Sequence, residues 1–356
     1  MPRGRGFRVG AFVLALMLVL AACGGDDDDG GGGQAAPAGS GAQQCATTEK
    51  MKIGFPGLPP DFVQMGVPLA KELGFFAANC LDVEFTGLES GIASFRAMQA
   101  GEFDMAYSGS ISPVLAKGEG ADAKVWMSAA ALLDFQVTAR PEIADCAALR
   151  GQPIATDGPG GLNHAIMEQF VATCGLDIDK DVKVLVGDPE NFGVQLSRGV
   201  VKAAALHLDE RITAEQQFKQ DFKELGNSWE YAPDFHYSSM SATGDLIEKN
   251  RDKYIRAAAS IMRATRWLRD PANKEQAITT IAKVSEQDEA VVTQAYDQFA
   301  TKFPTTCDEA LRPAAYEFLI KLQVDLGNLK QAFPVTDLVD PSICAEAEAL
   351  LTKQGF

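Results

Sequence analysis

The stretch DGPGGLNH, residues 157–164, is the part of the sequence whose residue types and spacing most favour ligand chemistry. It follows a short apolar run at 153–155 and opens an amphipathic helical pattern. A strand, a glycine-rich turn and a helix N-terminus present free backbone N–H groups, and the helix macrodipole favours negative charge there. The stretch therefore predicts an anion or polar-ligand site, with a tight turn that binds nothing as the alternative.

Alternating strand and helix patterns in the sequence indicate which elements flank this turn. Apolar strands are predicted in the first half, separated by turns and helical patterns, at 51–55, 81–85, 104–107 and 124–130. The pattern restarts with strands at 153–155, 182–186 and 203–206, and from Asp245 onward the signals are helical. This order predicts an α/β protein with largely parallel strand pairing, a second α/β domain and a helical C-terminal region.

The N-terminus has the pattern of an export signal. Arg3, Arg5 and Arg8 precede the apolar run 9–20, and small residues lead to Cys23. The run is short for a bilayer span, so residues 1–22 are predicted to be a cleaved signal peptide, with an uncleaved anchor as the alternative. The pattern resembles bacterial lipoprotein signals, which implies acylation of Cys23 and attachment to the lipid bilayer. Residues 23–48 are predicted to be a flexible acidic and glycine-rich tether.

The charge balance excludes some partners. The chain has 32 basic and 48 acidic residues, a net charge of −16. Removal of residues 1–22 takes away three arginines, so 29 basic residues face 48 acidic ones, a net charge of −19. This excess argues against nucleic acid and against electrostatic adhesion to anionic lipid.

The cysteines predict disulfides. Six remain besides Cys23, and an even number is typical of disulfides in an exported protein. Fifteen pairings are possible, and the sequence alone does not choose among them. The positions of the cysteines relative to the predicted strands and domains favour one set, which is Cys45–Cys80, Cys146–Cys174 and Cys307–Cys344. No CxxC spacing is present, so a zinc knuckle or a thioredoxin-type site is unsupported.

Three motifs carry a resemblance to a known family: AKELGFF at 70–76, AMQAGEFD at 97–104 and LRGQPIA at 149–155. In this order, over nearly all of residues 50–350, the chain resembles the substrate-binding proteins of ABC importers. The nearest branch takes up sulfonates, taurine or nitrate, and includes the related binders of thiamine-pyrimidine precursors. The resemblance implies a binding protein rather than an enzyme, without a cofactor. Its partners would be a small solute and a permease with its ATPase.

The resemblance also implies a two-domain periplasmic-binding-protein-like fold of type II, with the solute in the interdomain cleft. The hinge strands are expected near 135–139 and 235–240. Domain 1 would then comprise residues 49–138 with the C-terminal helices of 236–356, and domain 2 residues 139–235.

Ligands of open α/β sheets bind beyond the carboxyl ends of the strands. The loops at these ends predict a ligand-binding set of Asp61, Ser90, Ser108, Ser110, Asp157, Gly160, Gly161, Asn163, His164, Asp188, His207 and Tyr237. Within this set the predicted hydrogen-bond donors are the side chains of Ser108, Ser110, Asn163 and His164 and the N–H groups of Gly160 and Gly161. Tyr237 is the predicted aromatic wall. Turn chemistry is the alternative for each of these residues.

The charge of the solute stays open. The predicted cleft loops carry no evident arginine or lysine, and they contain the acidic residues Asp61, Glu89, Asp157, Asp188, Glu190 and Asp209. A neutral, zwitterionic or heteroaromatic ligand is therefore as reasonable as an oxyanion.

Three other functions are weighed against solute binding. His164, His207 and His236 all fall in predicted cleft loops, and with a carboxylate they would suit zinc. An exported enzyme is less well supported, because no GxSxG elbow stands at a strand-to-helix turn. A lipoprotein with a structural role and no ligand is the third alternative.

Overall fold

The computed structural model describes residues 45–159 and 161–356. Cys23, Gly160, the predicted signal peptide and most of the predicted tether lie outside the described residues. The strands in this part of the chain are β1 (Glu49–Pro56), β2 (Leu81–Leu88), β3 (Met105–Gly109), β4 (Lys124–Met127), β5 (Phe135–Ala139), β6 (Pro153–Thr156), β7 (Lys183–Val186), β8 (Ala203–His207), β9 (Lys223–Asn227) and β10 (Ser238–Ala242).

Helices connect the strands and form the C-terminal region. They are α1 (Gly66–Glu72), α2 (Phe75–Ala78), α3 (Gly91–Gln99), α4 (Ile111–Gly118), α5 (Leu162–Thr173), α6 (Phe192–Ser197), α7 (Leu208–Phe218), α8 (Ser228–Tyr231), α9 (Gly244–Lys249), α10 (Arg251–Arg269), α11 (Lys274–Ser285), α12 (Glu289–Phe299), α13 (Cys307–Leu311), α14 (Pro313–Asp325) and α15 (Pro341–Lys353). Short 3-10 helices include Phe62–Gln64, Cys146–Leu149 and Pro189–Asn191. The helical C-terminal region is confirmed.

The strands form two five-stranded sheets, with the orders β2-β1-β3-β10-β4 and β7-β6-β8-β5-β9. We call the part of the chain built on the first sheet the first lobe, and the part built on the second sheet the second lobe. β1 shows why these segments pair as strands, because Met51, Ile53 and Phe55 are fully buried while Lys50 and Lys52 are exposed. The predicted α/β architecture is confirmed.

Each sheet contains one antiparallel strand, which the expectation of largely parallel pairing did not identify. β10 runs antiparallel to β3 and β4, and β5 runs antiparallel to β8 and β9. The first segment expected to be a hinge strand, 135–139, coincides with β5, and the second, 235–240, overlaps the start of β10. The chain passes between the sheets just before them, at 128–134 and 232–237. The residue limits of the two domains stay a prediction.

The C-terminal helices contact both lobes. α10 packs against α1 and α15, and α15 packs against β4 of the first lobe. α12 packs against α7 of the second lobe. Among the described residues, no helix is long and apolar enough to span a bilayer.

Three disulfides tie these elements together, and they are the three predicted pairs. Cys45–Cys80 joins the segment before β1 to the start of β2. Cys146–Cys174 joins a 3-10 helix to the end of α5, and Cys307–Cys344 joins α13 to α15. The paired cysteines are 35, 28 and 37 positions apart, so each disulfide removes conformational entropy from the unfolded chain.

Candidate functional site

The N-terminus of α5, which the glycine-rich turn opens, is capped by the chain's own carboxylate. The Asp157 side chain accepts hydrogen bonds from the backbone N–H groups of Asn163 at 3.3 Å and His164 at 2.9 Å. These two N–H groups are ones that a helix leaves without an internal partner. Glycine is required at position 161, because a Cβ there would collide with the Asp157 carboxylate. The positive end of this helix is therefore already neutralised.

The other polar groups of the turn also bond within the second lobe. The Asn163 side-chain amide donates to the carbonyl of Ala205 at 3.0 Å, and His164 Nδ1 lies 3.2 Å from the Thr156 hydroxyl. Gly158, at a φ of +95°, donates its N–H to the same hydroxyl. Asp157, Gly161, Asn163 and His164 thus form a folded turn whose polar groups have partners.

Ser110 and His236 belong to a buried chain of hydrogen bonds inside the first lobe. His236 Nε2 donates to the Ala310 carbonyl at 2.9 Å, so Nδ1 accepts from the Ser110 hydroxyl at 3.0 Å. Ser239 lies 2.7 Å from Ser110 and 2.6 Å from the Tyr316 hydroxyl. Burial lowers the pKa of His236 to about 3, so this imidazole is neutral at physiological pH. The set has the composition of a nucleophile and base, but Ser110 and His236 are sealed from solvent.

Ser90 and Asp188 are exposed helix caps. The Ser90 hydroxyl accepts from the N–H of Ala93 at the start of α3, and Asp188 accepts from the N–H of Glu190. Both side chains accept hydrogen bonds from backbone N–H groups that the start of a helix leaves without an internal partner.

A different group of residues meets where the two lobes join. We call its four carboxylates the acidic cluster, which consists of Asp61, Asp134, Asp209 and Glu210. Asp61 follows β1, Asp134 ends the segment that enters β5, and Asp209 and Glu210 open α7. His207, the last residue of β8, lies with Nδ1 2.6 Å from Asp134 Oδ1. The predicted residues Asp61, His207 and Tyr237 are the ones brought together here.

One hydrogen bond of this cluster crosses between the lobes. The backbone N–H of Phe62 donates to Asp209 Oδ2 at 3.0 Å, and the Gln287 side-chain amide donates to the same oxygen at 2.8 Å. Asp209 Oδ1 accepts the N–H of Glu210, and Glu210 in turn accepts the N–H of His207. The start of α7 is thus linked to the loop after β1 and to the segment before α12.

Mutual repulsion and burial set the ionisation of the cluster. Burial, followed by the carboxylate of Asp209, raises the pKa of Asp61 to about 7. Burial also raises the pKa of Glu210 above its ordinary value. For His207, burial acts to lower the pKa, but Asp134 outweighs it and holds the pKa well above 6.5. His207 is therefore a cation at neutral pH, and Asp61 titrates near neutrality.

Aromatic rings surround the cluster, and we call them the aromatic wall: Phe55, Tyr107, Phe135 and Tyr237. Phe55 stacks on Tyr107 with centroids 4.8 Å apart. Phe135 lies 3.9 Å from the His207 ring and 6.5 Å from Tyr237. Burial, and next the charge of Asp134, raises the pKa of Tyr237 well above 10. Tyr237, the predicted aromatic wall, thus lies beside Phe135 and His207, and its role toward a solute stays a prediction.

Three buried polar atoms have no hydrogen-bond partner: Tyr107 Oη and Asp134 Oδ2 at this junction, and Ser108 Oγ near the end of β3. Their residues are at most 1 % exposed. Ser238 lies beside Tyr107, and because its own hydroxyl proton goes to the Ala130 carbonyl at 3.0 Å, it can offer Tyr107 only an acceptor oxygen. A buried polar group without a partner costs about 1–3 kcal/mol, and these atoms therefore favour an incoming ligand.

The structure does not bring the three histidines of the metal alternative together within the described residues. Within residues 45–159 and 161–356, no three His, Cys, Asp or Glu side chains are placed to hold a metal ion. His164 bonds to Thr156, His207 to Asp134 and His236 to Ser110, so the three imidazoles have separate partners.

The sequence prediction missed Asp134, Tyr107 and the wall residues Phe55 and Phe135. A signal for Asp134 was present, because it is a lone acidic residue in the apolar run 129–135. An acidic residue that is buried in an apolar run requires a partner. The prediction looked only at loops after parallel strands, whereas Asp134 comes directly before the antiparallel strand β5.

The chain is similar to one protein family and to several solved structures. The model of the family described as NMT1/THI5 like matches residues 61–274, which is more than half of the chain. No curated protein matches the sequence. Solved structures with the same fold share low identity with this chain.

The first such structure is the alkanesulfonate-binding protein SsuA from Xanthomonas axonopodis pv. citri bound to MOPS. It is 18% identical with a TM-score of 0.63, over 83% of this chain and 100% of that one. The nitrate-binding protein NrtA from Synechocystis PCC 6803 is 14% identical with a TM-score of 0.71, over 86% and 91%.

A ligand-binding component of an ABC-type import system from Staphylococcus aureus, with zinc bound, is 13% identical with a TM-score of 0.68, over 84% and 99%. The fold is that of periplasmic binding proteins. By its match to the family model, the chain belongs to the NMT1/THI5-like family.

Proposed function

We propose that the protein is an extracytoplasmic solute-binding lipoprotein that captures a small organic solute between its two lobes and delivers it to an ABC importer. It acts as a binding protein and not as an enzyme. The observation that carries this proposal is the junction of the lobes, where Tyr107 and Asp134 present buried polar atoms without partners beside aromatic rings. Apolar surroundings with a few convergent polar groups are typical of small-molecule sites.

Two further observations support the proposal. The related structures named above bind alkanesulfonate or nitrate or belong to an ABC-type import system. The Phe62–Asp209 hydrogen bond joins the lobes next to the acidic cluster, as expected of a contact that forms when two lobes close on a solute.

A thermal-shift screen tests solute binding. The panel contains sulfonates, taurine, nitrate, pyrimidines and amines, each at several concentrations. A solute at one hundred times its dissociation constant stabilises the folded protein by about 2.7 kcal/mol. No shift with any of these compounds would contradict the proposal.

Membrane attachment through Cys23 is tested separately. We expect mass spectrometry of the protein from its native membrane to find the mature chain beginning at an acylated Cys23. A Cys23→Ser variant should lose the acyl chains and leave the membrane fraction, because hydrophobic anchoring depends on them. An unchanged membrane fraction for this variant would contradict the lipid anchor.

A further inference from the structure

The acidic cluster indicates the chemical class of the solute, an inference that rests on the solute-binding function proposed above. We propose that the cleft takes a solute with a positively charged nitrogen, an organic ammonium or protonated amine, on a flat or apolar body.

The charge of the site is the first argument. The charged groups that act on Asp61 are Asp209, His207, Glu210 and Asp134, and none of these is a lysine or arginine. His207 forms the 2.6 Å contact with Asp134, so its single positive charge is shared with one of the four carboxylates. The described residues of the cluster therefore carry more negative than positive charge.

The second argument is the unpaired oxygen of Asp134. Asp134 is fully buried, its Oδ1 faces His207, and its Oδ2 has no partner. Asp209 differs, because it already accepts from Phe62, Gln287 and Glu210. A charged N–H donor on Asp134 Oδ2 would form a charge-assisted hydrogen bond, which is about twice as strong as a neutral one.

The neighbouring groups suit the same ligand. The Tyr107 hydroxyl, which Asp134 and Asp61 influence, can accept a further N–H group of an ammonium ion. The Phe55–Tyr107 stack and the Phe135–Tyr237 pair offer ring faces, which attract a cation and cover an apolar body.

A sulfonate or nitrate ion would meet the opposite conditions. The helix N-terminus that would attract it, that of α5, is occupied by Asp157. In the cleft its charge would face Asp61 and Asp134, and juxtaposed like charges in a binding site weaken binding. The site therefore discriminates against the anions that two of the related proteins bind.

Isothermal titration calorimetry at pH 7.5 with matched probes tests the inference. Choline is compared with isethionate, and 2-phenylethylamine with 2-phenylethanesulfonate, with nitrate and uracil as further probes. At least one ammonium probe should bind about tenfold or more tightly than its sulfonate partner.

Substitutions identify the site. Asp134→Asn should weaken binding of the ammonium probe by at least about tenfold. Asp61→Asn, which leaves the Asp134–His207 pair intact, should weaken it severalfold. Asp82→Asn, on the exposed face of β2, is the matched control and should bind like the unmodified protein.

The outcomes separate this inference from the proposed function. Binding of a sulfonate, nitrate or uracil in preference to the ammonium probes would overturn the cationic class and leave the solute-binding function standing. Equal binding of the ammonium probe by all three variants would also overturn it. Absence of binding by every probe would contradict both proposals.

Discussion

The backbone N–H of Phe62 donates a 3.0 Å hydrogen bond to the carboxylate of Asp209, 147 positions away in the sequence. Phe62 follows the first strand of one sheet, and Asp209 follows a central strand of the other. This contact brings the acidic cluster and the aromatic wall of the two lobes together. Residues at this junction therefore differ in role from residues whose contacts lie within one lobe.

Loss of the contact between Phe62 and Asp209 should open the unliganded protein. In Asp209→Ala the Phe62 amide has no acceptor, so we expect its hydrogen exchange to become faster. The radius of gyration from small-angle X-ray scattering should increase. Glu248→Ala, an exposed substitution on α9, is the control. Unchanged exchange at Phe62 in Asp209→Ala would show that this contact does not hold the lobes.

Replacement by alanine is predicted to lower stability at Ser110 and to lower solute affinity at Ser108. Ser110→Ala leaves His236 Nδ1 without its donor, so it should cost about 1–3 kcal/mol in urea unfolding and leave solute affinity unchanged. Ser108→Ala removes a hydroxyl that has no protein partner, so stability should change little.

Solute affinity distinguishes the two serines further. We expect Ser108→Ala to weaken binding of the probe identified by calorimetry, because the free hydroxyl is proposed to contact the solute. Weaker binding by Ser110→Ala alone, at full stability, would contradict this assignment.

Asp157 is predicted to be a helix cap. Asp157→Ala removes the acceptor of two N–H groups at the start of α5, and this should cost about 0.5–2 kcal/mol in the free energy of unfolding. Asp188→Ala, which removes the cap of a short exposed 3-10 helix, should cost less. Thermal unfolding of the two variants measures the difference. A stability unchanged by Asp157→Ala would refute the capping role.

Asp61 should make the unliganded protein less stable as the pH rises toward neutrality. Its pKa is raised from 3.8 to about 7, so between these values the folded state binds the proton more strongly than the unfolded state does. Stability from this residue is therefore full below about pH 4 and is lost as the pH rises through 7. His207, whose pKa is also raised, acts in the same direction at higher pH.

The Asp61→Asn variant checks this pH dependence, because it mimics the neutral carboxyl. Its melting temperature should equal that of the unmodified protein near pH 4 and exceed it increasingly up to about pH 8. His236, whose pKa is lowered to about 3, opposes this trend in both proteins and cancels in the difference. A difference that is constant with pH would contradict the raised pKa of Asp61.

The fold was largely predictable from the sequence. Apolar runs such as 51–55 indicate strands, and turn and cap residues indicate where helices begin and end. The order of the family motifs then favoured one topology. The even number of cysteines favoured disulfides. β9 was missed, since the sequence KELGN has no apolar alternation and pairs only at the edge of its sheet.

The candidate site was less predictable. Asp61, His207 and Tyr237 were identified because they follow or precede strands, whereas Ser110 looked the same in the sequence and is sealed inside the first lobe. Whether such a residue lies at the junction or inside one lobe depends on the side chains that it contacts in the folded protein. Asp157 was expected to contact the ligand, but only the structure reveals that its carboxylate accepts hydrogen bonds from the N–H groups at the start of α5.

A crystal structure of the protein with its best-binding solute tests the central claim most directly. The account predicts that the solute lies between the lobes against Tyr107 and Phe135. Its charged nitrogen should lie within about 3 Å of Asp134 Oδ2, the distance of a charge-assisted hydrogen bond. A solute bound away from the junction of the lobes, or an anionic group at the N-terminus of α5 with Asp157 displaced, would contradict it.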